Sequence, residues 1–102
     1  MLVISPHLLD EFWRRHPDSE RPLRRWLTFT RTASWQNLKE VRETFRDTDG
    51  VVLKSGHTVT IFNIRGNNYR LLVAIDFPLQ TVRVLLVLTH AEYDKEKWKD
   101  TL

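Results

Sequence analysis

Residues 58–76 read TVTIFNIRGNNYRLLVAID, and this stretch decides the fold. Thr58 to Ile64 alternates with a period of two, the repeat of a strand whose successive side chains point to opposite faces. Arg65-Gly66-Asn67-Asn68 is turn chemistry and leads into a second strand, Tyr69 to Asp76. Further along, Phe77-Pro78-Leu79-Gln80 predicts another turn and Thr81 to Leu88 another strand. In the other direction, the period changes from 3.6 to 2 at the turn signal Asp47-Thr48-Asp49-Gly50, after which Val51 to Leu53 can pair as a short strand. On the central strand, Tyr69, Leu71, Val73 and Ile75 point one way, the face expected to pack on helices. Arg70 projects from the opposite, less covered face.

Upstream of residue 50 the pattern is helical. Leu2 to Ile4 is short and β-prone; from Pro6 or His7 onward, Leu8, Leu9, Phe12 and Trp13 mark an amphipathic helix that should stop near His16-Pro17. Asp18 reads as the N-cap of a second helix, with Leu23, Trp26, Leu27 and Thr30 on a face opposite Arg21, Arg24, Arg25 and Arg31. Ser34 is the expected cap of a third, with Trp35, Leu38, Val41 and Phe45 inward. At the far end Thr89-His90-Ala91-Glu92 is a capping box, so the last helix is expected from His90 to about Lys99. Helices followed by strands mean an α+β fold, with N-terminal helices packed on one face of an antiparallel sheet and a short C-terminal helix.

The 102 residues predict one domain spanning 1–102, with 41% apolar and 28% charged residues, the balance of a chain that packs a core. Cysteine is absent, which excludes a disulfide scaffold, thiolate zinc sites and thiol catalysis. The longest apolar runs, Leu71–Ile75 and Val84–Leu88, are far short of the roughly 20 residues that span a bilayer. Asp10, Glu11, Arg14 and Arg15 interrupt any signal-peptide core, so a cytoplasmic protein without membrane attachment is expected. Sixteen Lys and Arg against 13 Asp and Glu give a net charge of +3, which permits a nucleic-acid partner without identifying one.

Histidines 7, 16, 57 and 90 fall at no metal-ligand spacing, and no phosphate-binding glycine loop or nucleophile elbow is present, so neither a metal nor a cofactor is expected. His90 stands out because the capping box places it in the first helical turn, where free backbone N–H groups can attract an anion and a histidine can transfer protons. Arg70 can hold a phosphate with its planar fork or stabilise charge in a phosphorane. Tyr93, three residues after His90, can stack on a base or donate to a phosphate. Lys54 and His57, flanking Ser55-Gly56, can reach the same face. Each has a plain structural alternative: an exposed helix-start residue, a solvated strand arginine, a core tyrosine, a solvated loop.

The segments Ile61–Leu71 (IFNIRGNNYRL) and Leu88–Lys95 (LTHAEYDK) closely resemble the HigB-type toxins of bacterial toxin-antitoxin modules. The Phe12-Trp13, His16-Pro17 and Trp35-Gln36-Asn37 stretches share the likeness. The resemblance implies a RelE-like fold and an endoribonuclease that cuts mRNA, often in the ribosomal A site, held in check by a helix-turn-helix antitoxin. It also implies that Arg70 binds phosphate and that His90 and Tyr93 form the active-site pair; Lys54, His57, Arg65, Asn67 and Lys95 are expected beside them as RNA contacts. The chain has Asn68 where relatives often carry lysine, and it lacks the lysine-rich catalytic cluster of some RelE relatives. A non-catalytic homologue that binds RNA, ribosome or antitoxin is the competing reading.

Overall fold

The computed structural model describes residues 1–102. The elements in chain order are β1 (Leu2–Ile4), α1 (His7–Arg15), α2 (Glu20–Thr32), α3 (Leu38–Thr44), β2 (Asp49–Val52), β3 (Thr58–Ile64), β4 (Tyr69–Asp76), β5 (Thr81–Thr89), α4 (His90–Asp94) and α5 (Trp98–Thr101). The fold is α+β, as the sequence pattern predicts. Strands β2 to β5 form an antiparallel meander in a five-stranded sheet of order β1-β5-β4-β3-β2. The edge strand β1 runs parallel to β5, with Val3 opposite Val82; this pairing of residues nearly 80 positions apart carries no local sequence signal.

The turn between β3 and β4 fixes the register that matters for the site. Arg65 and Gly66 both have left-handed backbones, with φ of 52° and 63°, and two successive positive φ values suit the twist of a hairpin. Ile64 then faces Tyr69 and Asn63 faces Arg70. Along β5 the register shifts beside Leu72 and Val73, where Leu72 faces Leu86 but Val73 faces Val84. Leu85 is the extra residue of a bulge, which bends the strand locally.

The predicted inward residues of β4 do face the helices. Tyr69, Leu71 and Val73 join Phe62 and Ile64 of β3 in a core with Leu9, Phe12, Leu23, Trp26 and Val41. Trp26 and Phe45 meet Phe62 edge-on at 5.4 and 5.3 Å. Each such large buried side chain contributes about 1.5–3 kcal/mol of transfer free energy. The opposite face is less open than expected: Trp98 packs over Leu53, Val59, Ile61 and Leu72 as a second apolar cluster. No helix is long and apolar enough to cross a membrane.

Three local expectations are corrected. Pro17–Ser19 forms a 3-10 turn ahead of α2, so Asp18 sits inside that turn and makes no cap hydrogen bond. The cap of α3 is Asn37 rather than Ser34: its backbone is extended and its side chain accepts from the Glu40 N–H at 3.0 Å. Trp35 is thus buried from an irregular segment, not from a helix. The C-terminal helix is split in two, because Glu96 takes a left-handed φ of 59° and Trp98 Nε1 donates to the Tyr93 carbonyl at 3.1 Å. That bond satisfies a carbonyl near the end of α4 and folds the indole back onto the sheet.

Candidate functional site at the start of strand β4

Arg70 is the second residue of β4, flanked by Asn63 on β3 and Leu88 on β5. It is only 9% exposed and is the one charged side chain among the buried residues. Nη1 donates to the backbone carbonyls of Asn67 at 3.0 Å and Tyr69 at 3.2 Å, and Nη2 donates to Asn67 Oδ1 at 2.7 Å. None of the ion pairs in the structure involves it. Buried charges are normally paired, because leaving water costs an ion several kcal/mol. Here neutral oxygens orient the guanidinium and leave its charge uncancelled, the state in which an anion is attracted most strongly.

The Tyr93 ring lies 5.4 Å from the Arg70 guanidinium carbon, within cation–π range. It also stacks on Trp98, with centroids 5.4 Å apart and planes 14° from parallel. With Trp98 stacked on it and Arg70 over it, the ring is already partnered within the protein, which reduces the base-stacking platform expected from sequence. Burial pushes the Tyr93 hydroxyl above the ordinary tyrosine value; Asp49 reinforces the shift, while Arg70 and Lys99 oppose it. The hydroxyl thus keeps its proton at neutral pH.

The predicted capping box is present: Thr89 Oγ1 accepts from the Glu92 N–H at 3.2 Å and the Thr89 N–H donates to Glu92 Oε1 at 2.9 Å. The His90 N–H donates to the Asn68 carbonyl at 3.0 Å, tying α4 to the β3–β4 turn. Of the first-turn amides of α4, those of His90 and Glu92 are thus engaged within the protein, which leaves fewer free N–H groups there than the sequence suggests. The imidazole is another matter. Its Nδ1 lies 3.1 Å from Asp94 Oδ2, and the ring is about half exposed. The Asp94 carboxylate is placed to accept a hydrogen bond from Nδ1 and so to orient the ring. His90 lines an open cleft of about 510 Å³ with Asn67, Asn68, Tyr69, Thr89 and Ala91. Asn68 and Asn67, neighbours in one turn, hold the His90 backbone and the Arg70 guanidinium respectively.

Arg70 and Tyr93 thus lie together, and His90 lines the cleft beside the β3–β4 turn; all three belong to the two segments in which the sequence likeness resides. A family model described as HigB_toxin, RelE-like toxic component of a toxin-antitoxin system, matches residues 19–96. The chain belongs to the HigB toxin family. No curated protein matches it. The family assignment makes this chain the toxin of a toxin-antitoxin pair and its antitoxin a partner.

The other residues of this HigB-family toxin singled out in sequence are scattered. Asn67, itself exposed, holds Arg70 through its carbonyl and its side-chain oxygen. Lys95 lies just past α4, in a depression of about 330 Å³ with Leu86, Leu88, Glu92 and Trp98, on the same sheet face as Arg70. Arg65 pairs with Asp18 at 3.4 Å on the helix side, where Asp18 also accepts from the Tyr69 hydroxyl at 2.6 Å. Lys54 and His57 lie in the β2–β3 turn. His57 precedes Asn63 by six residues, so it is about 20 Å from Arg70 along the strands. Two residues were missed. Asp94 follows His90 by four positions, a spacing that could have revealed it. Asp49 is brought to the Arg70 face by pairing with Ile61, which only the register reveals.

Proposed function

We propose that this toxin is an endoribonuclease that cuts mRNA without a metal, in the A site of the translating ribosome in the cytoplasm, and is neutralised by a helix-turn-helix antitoxin. The observation that carries the reading is Arg70: a buried guanidinium, held by three hydrogen bonds to neutral oxygens and by no carboxylate. Such a cation is preorganised for a phosphate whose charge grows in the transition state.

The ribose 2′-OH attacks the adjacent phosphorus, the 5′-oxygen of the next nucleotide leaves, and a 2′,3′-cyclic phosphate forms. In this scheme Arg70 stabilises the phosphorane and His90 Nε2 moves a proton, with Asp94 fixing the ring. Tyr93 positions base or phosphate through its protonated hydroxyl, and Lys95 contacts the backbone in a salt-sensitive way. Lys54 and His57 would meet RNA only several nucleotides from the cut, and Arg65 only after release from Asp18.

Inducible expression in bacteria, with growth and mRNA ends followed together, tests the reading. Arrest accompanied by new 5′-OH ends is expected. On naked RNA, cleavage should persist in EDTA, and a single 2′-deoxy residue at the cut position should block it. Efficient cutting of that deoxy substrate, or 5′-phosphate ends, would overturn the mechanism and implicate an activated water.

A further inference from the structure

Strand β5 carries an apolar surface beside Arg70. Leu88 stands directly opposite Arg70 and Leu86 opposite Leu72, so both leucines point to the Arg70 side of the sheet. They are half-buried and, with the Trp98 indole, line a depression of about 330 Å³ whose other walls include Glu92, Lys95 and Lys97. Neighbouring strands lie about 4.8 Å apart, so this floor begins within one nucleotide's reach of the guanidinium.

The polar groups around the floor are uncommitted. None of the ion pairs in the structure involves Glu92, Lys95 or Lys97. Glu92 Oε1 accepts from the Thr89 N–H at 2.9 Å in the capping box, and Oε2 has no partner within the protein. An apolar floor with a few polar groups at its edge is the usual make-up of a site for a small ring system. Tyr93 is already stacked on Trp98 and lies under Arg70. A base splayed out of a strand held at Arg70 therefore needs another apolar surface, and Leu86 and Leu88 supply one.

We propose that this depression is a base pocket, which holds the base of a nucleotide beside the scissile phosphate, and that Glu92 makes it select cytosine over uracil. The inference deepens the endoribonuclease reading and rests on it for the strand held at Arg70. Leu86 and Leu88 support the ring, Lys95 and Lys97 meet the adjoining phosphates, and the Glu92 carboxylate accepts from the cytosine N4 amine. Uracil carries O4 in the same position, an acceptor facing a group that can only accept. An apolar support combined with contact to a base edge is how unstacked bases of single-stranded RNA are recognised.

The probes are two single-stranded RNA pentamers, pentauridine and the same chain with a central cytosine, titrated against the full chain in a His90→Ala background; His90 does not line the depression. The cytosine pentamer should bind about tenfold more tightly. Glu92→Gln keeps the capping box, because Gln serves at that position as Glu does, and it places an N–H donor beside the pocket; the preference should fall to within about twofold or pass to uracil. Lys95→Gln should weaken both pentamers alike and lower the slope of log K against log salt by about 0.7. Circular dichroism checks that each variant folds. Equal binding of the two pentamers, binding of neither, or a cytosine preference that survives Glu92→Gln would overturn the proposal. So would a Leu86→Gln protein with unchanged RNA affinity and lost antitoxin binding, which would give the depression to a protein segment. Cleavage of the cytosine pentamer by the wild-type chain is scored separately: base preference without cleavage rejects the catalytic reading and leaves the pocket standing.

Discussion

Replacing Arg70 by lysine isolates the geometry of the guanidinium from its charge. In the native site two nitrogens are held from two directions, Nη1 by the Asn67 and Tyr69 carbonyls and Nη2 by Asn67 Oδ1 at 2.7 Å. A lysine ammonium is a single point; it can replace Nη1 or Nη2 but not both. The lost bond to Oδ1 is charge-assisted, worth about 1.5–3 kcal/mol in full burial. Asn67 is exposed, so water replaces the donor, and the stability loss should be about 1 kcal/mol, a fall in Tm of about 4–8 °C for a chain of this size. Activity should suffer more: losing one preorganised donor to a developing oxyanion costs about 10²–10³ in rate, or 2.7–4 kcal/mol. The assay is single-turnover cleavage of a short RNA at saturating enzyme, beside thermal unfolding of the same preparation. An Arg70→Lys protein that cleaves as fast as wild type would refute the argument, and so would a rate that recovers fully once measured well below its Tm.

Replacing the half-exposed His90 with alanine should lower cleavage by about 10²–10⁴ and leave stability within about 0.5 kcal/mol; Asp94→Asn should lower it less, and a wild-type rate in His90→Ala would remove histidine from the chemistry. The Tyr69 hydroxyl is raised above its ordinary value of 10.0 first by its hydrogen bond to Asp18 and then by burial. A raised pKa stabilises the fold fully below the unfolded value and is lost as pH rises through the folded one, so the urea midpoint of wild type should fall more steeply above about pH 10 than that of Tyr69→Phe. Equal slopes would mean the Asp18 bond does not act in solution. Glu92→Ala removes half of the capping box and should cost α4 about 0.5–2 kcal/mol, read as faster amide exchange across residues 90–94 with little change in β4.

What could be read from sequence is what is local. The turn at Arg65–Asn68 and both flanking strands fall where the pattern puts them, since positive-φ turn chemistry and a period of two are properties of adjacent residues. The capping box is local in the same sense. Asp18 misleads because its side chain answers to residues 47 and 51 positions away, Arg65 and Tyr69, in place of the amides beside it. The continuous C-terminal helix misleads because helix periodicity contains nothing about the Trp98 indole, which gains burial on the sheet and a carbonyl acceptor by breaking the helix at Glu96. The parallel β1–β5 pair depends wholly on where the three helices between β1 and β2 deliver the chain.

The same division runs through the site. Arg70, His90 and Tyr93 are legible because two short motifs carry them; the relation among them is not, because it is made by a turn that belongs to neither role. Asn67 and Asn68 bind the Arg70 guanidinium and the His90 amide respectively, so the position of one group relative to the other is set by two adjacent residues of a four-residue hairpin connection. Asp18 in turn holds both Arg65 at the first position of that connection and Tyr69 just beyond its last. Rigidity therefore passes from the helix layer through Asp18 to the turn, and from the turn to the Arg70 guanidinium and the His90 backbone. A substitution at Asp18, on the far side of the sheet from Arg70, should loosen cation and imidazole together, lowering the rate constant of cleavage while leaving the exposed Lys95 contact and its salt dependence unchanged.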